Sequence, residues 1–218
     1  MDTYWNQWSA YLPLAVAAAL VLIRPVWPLT RYAVTLAHEA GHAIAAICTG
    51  RRLTGVRLHS DTSGLTLSKG KPRGPGMVVT AAAGYVAPSL LGLGGSALIA
   101  SGQLRVLIWG ALVLTLAMLP FIRNIFGMLV VLAAAATFGG VAYYGSADLQ
   151  LHFGYAAIWV LLIGNMRSIV EGGRSRCGGS DFDQLRGLTH LPRALWIGLL
   201  MAMSVATGLL AWRVQYLA

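Results

Sequence analysis

The chain has 218 residues, 57% hydrophobic and 11% charged, with a mean hydropathy of +0.67. A soluble domain carries about 25% charged residues, so a water-soluble fold is excluded and a single membrane-embedded unit is expected. The formal charge of +9 invites a nucleic-acid partner. That reading fails, because the basic residues lie between long apolar runs and build no basic helix or groove-binding motif.

A bilayer core takes about 20 apolar residues per helix, which divides the chain as follows. Residues 3–23 form a first apolar window broken by Asn6, Gln7 and Pro13. It reads as an accessory helix within 1–30 that either spans or lies at the interface. Asp2 stands where a cleavable leader would be basic, so none is expected. Residues 31–50 form a second helix, apolar apart from His38, Glu39 and His42. Cys48 and Cys177 are too few to staple a fold of this size and show no metal-type spacing.

Segment 51–76 is basic. Inside it, Val56-Arg57-Leu58-His59 and Leu65-Thr66-Leu67-Ser68 alternate apolar and polar around turn-forming residues 60–64. This predicts a short β-hairpin with Val56, Leu58, Leu65 and Leu67 on one face. It is either a loop that happens to pair or an edge offered to an extended peptide. Residues 77–170 hold four spans, 171–192 a loop with two aspartates, and 193–218 the last span. The expected fold class is an all-α polytopic membrane protein with six or seven transmembrane helices. Glycines at 92–95 and 139–140 predict close helix packing.

Four spans separate the basic segments 51–76 and 167–193, so both lie on one face. The positive-inside rule makes that face cytoplasmic. The connection 145–150 has no Lys or Arg, which agrees, whereas Arg24 and Arg31 would sit on the opposite face as exceptions. Arginine in excess of lysine, with abundant alanine and glycine, points to a bacterial cytoplasmic membrane.

Chemistry concentrates on the second helix. Positions i and i+4 share a helix face, so His38 and His42 can reach one metal ion. Glu39 can then reach a water bound to it and shuttle the proton from attacking water to a leaving amine. Neutral imidazole suits Zn²⁺, one ion per chain. A His-Glu-x-x-His match arises by chance roughly once in a thousand such chains. Ionisable residues at lipid depth are costly and mark function. The bland alternative is hydrogen bonding of these three groups to neighbouring helices.

A catalytic zinc takes a third protein ligand and one open position. His59, Asp61, Asp148, His152, Glu171, Asp181, Asp183 and His190 remain as candidates. Asp181 and Asp183 stand two apart, on different helix faces, so at most one points at the metal. Ser180 with either aspartate also makes a good helix N-terminus. Asn124 is a candidate to polarise a scissile carbonyl, or an interhelical hydrogen-bonding group.

At these residues the chain resembles the site-2 protease group of intramembrane zinc metalloproteases, the M50 family, in its compact M50B-like bacterial branch. The matching motifs are His38-Glu39-Ala40-Gly41-His42-Ala43, Gly64-Leu65-Thr66, Ala82-Ala83-Gly84-Tyr85, Arg123-Asn124-Ile125-Phe126-Gly127 and Ser180-Asp181-Phe182-Asp183-Gln184-Leu185. The likeness runs from residue 31 to about residue 212 and leaves the first helix outside. It implies zinc held by His38, His42 and Asp181, with Glu39 activating water and Asp183 the alternative third ligand. The Leu-Asp-Gly form of the aspartate motif is absent. The implied reaction is hydrolysis of a peptide bond in or near a transmembrane helix of a membrane-protein substrate, which must unwind first. Strand addition to the hairpin edge at Val56, Leu58, Leu65 and Leu67 would capture it. Two competing readings are a proteolytically inactive zinc-binding scaffold or metal-handling protein, and a metal-free interaction module pairing Glu39 with Arg31 or Arg123.

Overall fold

The computed structural model describes residues 7–175 and 179–217, with Cys177 outside them. In chain order they form α1 (Gln7–Leu22), α2 (Trp27–Cys48), β1 (Arg52–Leu58), β2 (Gly64–Lys69), α3 (Pro75–Ala100), α4 (Leu104–Ala117) and a 3₁₀ turn (Leu119–Phe121). Then follow α5 (Ile125–Tyr144), α6 (Ala147–Arg174), α7 (Asp181–Thr189) and α8 (Arg193–Tyr216). Five stretches are long and apolar enough to cross a bilayer: α3, α4 with its 3₁₀ turn, α5, α6 and α8. The first two helices qualify only as a pair, bent by 99° at their junction. The described residues therefore hold five or six candidate spans, in an all-α polytopic membrane fold. Six meets the lower expectation; among the described residues seven is not reached, because α1 has only 16 residues and crosses, if at all, together with α2 as one bent pair.

Many leucines are exposed on the outer surface, while several glycines and serines sit at the contacts between helices. In α3, Gly92 lies so close to α6 that a Cβ there would stand 2.6 Å from the Leu162 side chain, and at Gly95 one would meet Ile158 at 2.9 Å. Gly94, Gly139 and Gly140 have no such close neighbour, so only part of the glycine pattern serves packing. At the centre, Asn165 of α6 is fully buried. Its amide donates to the Tyr85 carbonyl at 2.8 Å, Ser89 Oγ at 2.9 Å and Ser204 Oγ at 3.2 Å. This knot joins α3, α6 and α8 through hydrogen bonds that lipid cannot supply.

The hairpin does not hang into solvent as a loop. It folds back along α2, where Tyr32 Oη donates to the Ser60 carbonyl at 2.9 Å and Thr35 Oγ1 to the Thr62 carbonyl at 3.0 Å. Its strands are antiparallel, with Val56 opposite Thr66, Arg57 opposite Leu65 and Leu58 opposite Gly64. Directly opposed residues share a face, so Val56 and Leu58 lie with Thr66 and Gly64. Both are fully buried, while Leu65 and Leu67 are 46% and 42% exposed on the other face. The expected single face of four apolar residues is thus corrected. The five residues between the strands set a register one step away from apolar-to-apolar pairing.

Non-helical backbone near lipid must be satisfied within the protein. The outer edge of β1 is closed by the chain after the 3₁₀ turn. Arg123 N donates to the Val56 carbonyl at 2.9 Å, and the Asn124 amide grips Leu58 at both ends. Asn124 Oδ1 accepts from Leu58 N at 3.2 Å, and Nδ2 donates to the Leu58 carbonyl at 2.7 Å. In an antiparallel ladder a residue's N–H and C=O point the same way. With Val56 and Leu58 turned outward from β2, their partners Thr66 and Gly64 turn their own main-chain groups to the opposite, open edge of β2.

The segment expected as a loop at 171–192 contains α7. Ser180 caps it, and Asp183 three positions on completes a reciprocal capping box. Its C-cap, His190, takes the left-handed conformation at φ 60°, and α8 starts after Pro192. The N-terminal end of α2 is tied to the end of α6 from which α7 departs. Arg31 pairs with Glu171 at 3.3 Å, Arg167 with Glu171 at 2.8 Å, and Trp27 Nε1 donates to Glu171 at 3.3 Å. Arg31 thus sits beside Arg167 at the C-terminal end of α6, the end from which the basic segment 167–193 departs, and its expected placement on the far face is corrected.

Candidate metal centre

Helical spacing on α2 puts His38 and His42 on one face, turned toward α3. His42 Nδ1 lies 2.7 Å from the Thr80 carbonyl, and a carbonyl only accepts, so the proton sits on Nδ1. That turns Nε2 toward the site, the arrangement expected of a ligating imidazole. His42 Nε2 stands 3.0 Å from His38 Nε2 and 3.4 Å from Asp181 Oδ2, while His38 Nε2 is 3.0 Å from Asp181 Oδ2. Tetrahedral zinc with bonds of about 2.0–2.1 Å separates its ligand atoms by about 3.3 Å. The three donors therefore already stand at the spacing that one ion requires. Opposite them, α3 presents Gly84, where a Cβ would come within 2.5 Å of His38 Nε2.

The third donor is brought in by α7. Ser180 starts the helix, so its first residue, Asp181, points at α2. Phe182, fully buried, stacks on Tyr85 at 4.7 Å between ring centroids, and Tyr85 packs edge-on against His38 at 4.6 Å. Burial works to raise the Asp181 carboxyl, but contacts with His38 and His42 outweigh it and hold the group well below the usual carboxylate range. It is ionised, as a ligand must be. Two imidazoles and a carboxylate form a donor set suited to zinc.

The chain matches, over residues 11–211, the family model described as Peptidase M50B-like. It belongs to that family. No curated protein and no solved structure matches the chain. M50 peptidases are in general zinc metalloproteases of the site-2 protease group. The match begins at residue 11, so most of α1, expected outside the resemblance, lies within the M50B-like unit.

Placed in this M50B-like fold, the remaining candidates separate. Asp183 does not reach the donors. Its carboxylate accepts from Ser180 Oγ at 2.7 Å and pairs with Arg193 at 3.2 Å. The Ser180 hydrogen bond chiefly, despite slight opposing desolvation, holds it below the ordinary carboxylate value. The two sequence readings of Ser180-Asp-Phe-Asp thus apply to different residues: Asp183 caps, Asp181 faces the histidines. Glu171 is committed to Arg31 and Arg167. His59 and Asp61 lie at the hairpin tip, Asp148 in the first turn of α6 with His152 one turn later, and His190 at the end of α7. Among the described residues, His38, His42 and Asp181 are the group of three whose ligand atoms all fall within 4.8 Å of one another.

Glu39 is 4% exposed and pairs with neither Arg31 nor Arg123. Its Oε2 accepts from Thr66 Oγ1 at 2.6 Å. Arg123 donates instead to the carbonyls of Thr54, Pro120 and Ile122. The interaction-module reading built on those pairs is therefore overturned. Asn124, a candidate oxyanion group, spends both ends of its amide on Leu58. A cavity of about 310 Å³ is bounded by His38, Glu39, His42 and Asp181 on one side and Gly64–Thr66 of β2 on the other. Thr80 escaped sequence reasoning, and Gly64, Thr66 and Gly84 were read only as members of family-like motifs, which says nothing about which side chain they meet.

Proposed function

We propose that this M50B-like peptidase is an intramembrane zinc metalloprotease that hydrolyses a peptide bond in or near a transmembrane helix of a membrane-protein substrate. The observation that carries this reading is the convergence of His38, His42 and Asp181 beside the buried carboxylate of Glu39. These three residues would hold zinc, which when bound supplies Lewis-acid polarisation of the substrate carbonyl and of water. Glu39 takes the proton from the attacking water and returns it to the leaving amine. Tyr85 packed on His38 and Thr80 bonded to His42 keep the imidazoles oriented.

A helical substrate hides its carbonyls, so the scissile segment must be extended when it arrives. The open edge of β2 supports its capture, since Gly64 and Thr66 turn their main-chain groups outward beside the cavity. The capturing edge is β2 alone, because β1 is closed by Arg123 and Asn124. We place the hairpin and α7 at the cytoplasmic end of a bacterial membrane, following their basic charge.

The test uses the full chain in liposomes with a reporter carrying one transmembrane helix. Wild type cleaves, a zinc chelator stops it, and Glu39→Gln retains zinc while losing cleavage by about 10²–10⁴-fold. Cleavage by Glu39→Gln at the wild-type rate overturns the assignment. Zinc bound stoichiometrically without cleavage of any helical reporter would favour the scaffold reading.

A further inference from the structure

The base of the site rests on the strand proposed to receive substrate. Glu39 reaches from α2 to β2, where its Oε2 accepts from Thr66 Oγ1 at 2.6 Å. The same hydroxyl lies 3.3 Å from the Glu39 carbonyl. On the other side of the carboxylate, Gly64 offers bare backbone. A Cβ there would stand 2.6 Å from Glu39 Cδ and Cγ, and closer still to Oε1. Among the described residues no Arg or Lys pairs with this carboxylate, so one hydroxyl and one missing Cβ define where it points. Both belong to β2 residues whose main-chain groups face the open edge.

We propose that Thr66 is a positioning residue for Glu39, fastening the general base to the substrate-receiving strand so that the base is aimed only when the hairpin is docked on α2. The inference rests on the protease reading. A glutamate has three side-chain torsions, and α2 fixes only its Cα. The Thr66 hydroxyl consumes one carboxylate oxygen and leaves Oε1 for the proton of water. Without it the carboxylate samples other rotamers, and a displacement of about 1 Å at a reacting group costs up to about 100-fold in rate. Because Thr66 itself contributes only main chain to an incoming strand, its side chain should change turnover and leave substrate binding alone.

The experiment compares Thr66→Val, which keeps the shape and removes the hydroxyl, with Thr66→Ser, which keeps the hydroxyl. In liposomes with the same helical reporter, Thr66→Val should lose about 10–100-fold in kcat, with KM and bound zinc within about twofold of wild type. Thr66→Ser should stay within about threefold of wild type. A second readout needs neither metal nor substrate. Amide exchange at residues 64–68 of the metal-free protein should quicken by about fivefold or more in Thr66→Val and return to wild type in Thr66→Ser. The proposal is overturned by an unchanged kcat in Thr66→Val, by a loss confined to KM, or by Thr66→Ser failing as badly as Thr66→Val. If Thr66→Val does not fold, Glu39→Ala and Glu39→Gln decide. Only the alanine should quicken exchange at β2, and equal exchange in the two defeats the proposal. A wild type that never cleaves defeats the protease reading instead, while the exchange data still judge the Thr66–Glu39 contact.

Discussion

Replacing Gly84 by alanine strikes the centre without touching a ligand. A Cβ at this position on α3 would stand 2.5 Å from His38 Nε2 and 2.6 Å from His38 Cε1, and closer still to His42 Nε2. Ordinary contact begins near 3.4 Å, so α3 must withdraw, or both rings must turn away, by about 0.9 Å, the difference of those two distances. Metal–ligand distances tolerate about 0.2 Å. At least one bond to the ion is therefore lost, and zinc affinity should fall at least about 100-fold, or roughly 2.7 kcal/mol. Gly94 on the same helix is the matched control, since a Cβ there meets nothing within 4 Å. Alanine at Gly94 should keep zinc and gain up to about 1 kcal/mol of helix propensity. The assay is competition of purified full-length protein against a chelator of known affinity, with circular dichroism to show that each variant is folded. A folded Gly84→Ala protein that holds zinc within about threefold of wild type would refute the geometry assigned to His38, His42 and Asp181.

Two further substitutions separate neighbouring roles. Asp181→Ala should lose zinc while remaining folded, because it removes one of three donors. Asp183→Ala should keep zinc but lower the melting temperature, by the loss of about 1 kcal/mol of capping at α7; zinc loss in Asp183→Ala alone would reverse the assignment. Asn124→Ala should strip Leu58 of two hydrogen bonds, worth about 1–3 kcal/mol together, and speed amide exchange across β1 with zinc retained. If Asn124 acts on the substrate carbonyl instead, kcat falls and the protection of β1 stays unchanged.

Features that depend on neighbours along the chain were open to reading from composition and spacing. Apolar runs made the membrane fold legible, and helical periodicity alone places His38 and His42 on one face with Glu39 beside them. Alternation around residues 60–64 marked the hairpin. Its register was not legible, because the turn conformation decides it, and so the shared face of Val56, Leu58, Leu65 and Leu67 did not survive. The third donor was likewise ambiguous. Asp181 and Asp183 have the same chemistry, and only the capping of α7 by Ser180 rotates one toward α2 and the other toward Arg193.

Long-range contacts settled the rest. His38 and Asp181 are 143 positions apart and Asn124 and Leu58 are 66 apart, so no local pattern relates them. Packing turned Asn124 into a clamp on the β1 edge, brought Arg31 to Glu171 beside Arg167, and laid Thr66 and Gly64 against the base. The chemistry of this M50B-like protein was written locally, in a helix whose spacing is set by its own backbone. The third ligand, the aim of the base and the one open strand edge come from segments that meet only when helices and hairpin close on each other, burying polar groups that lipid cannot satisfy.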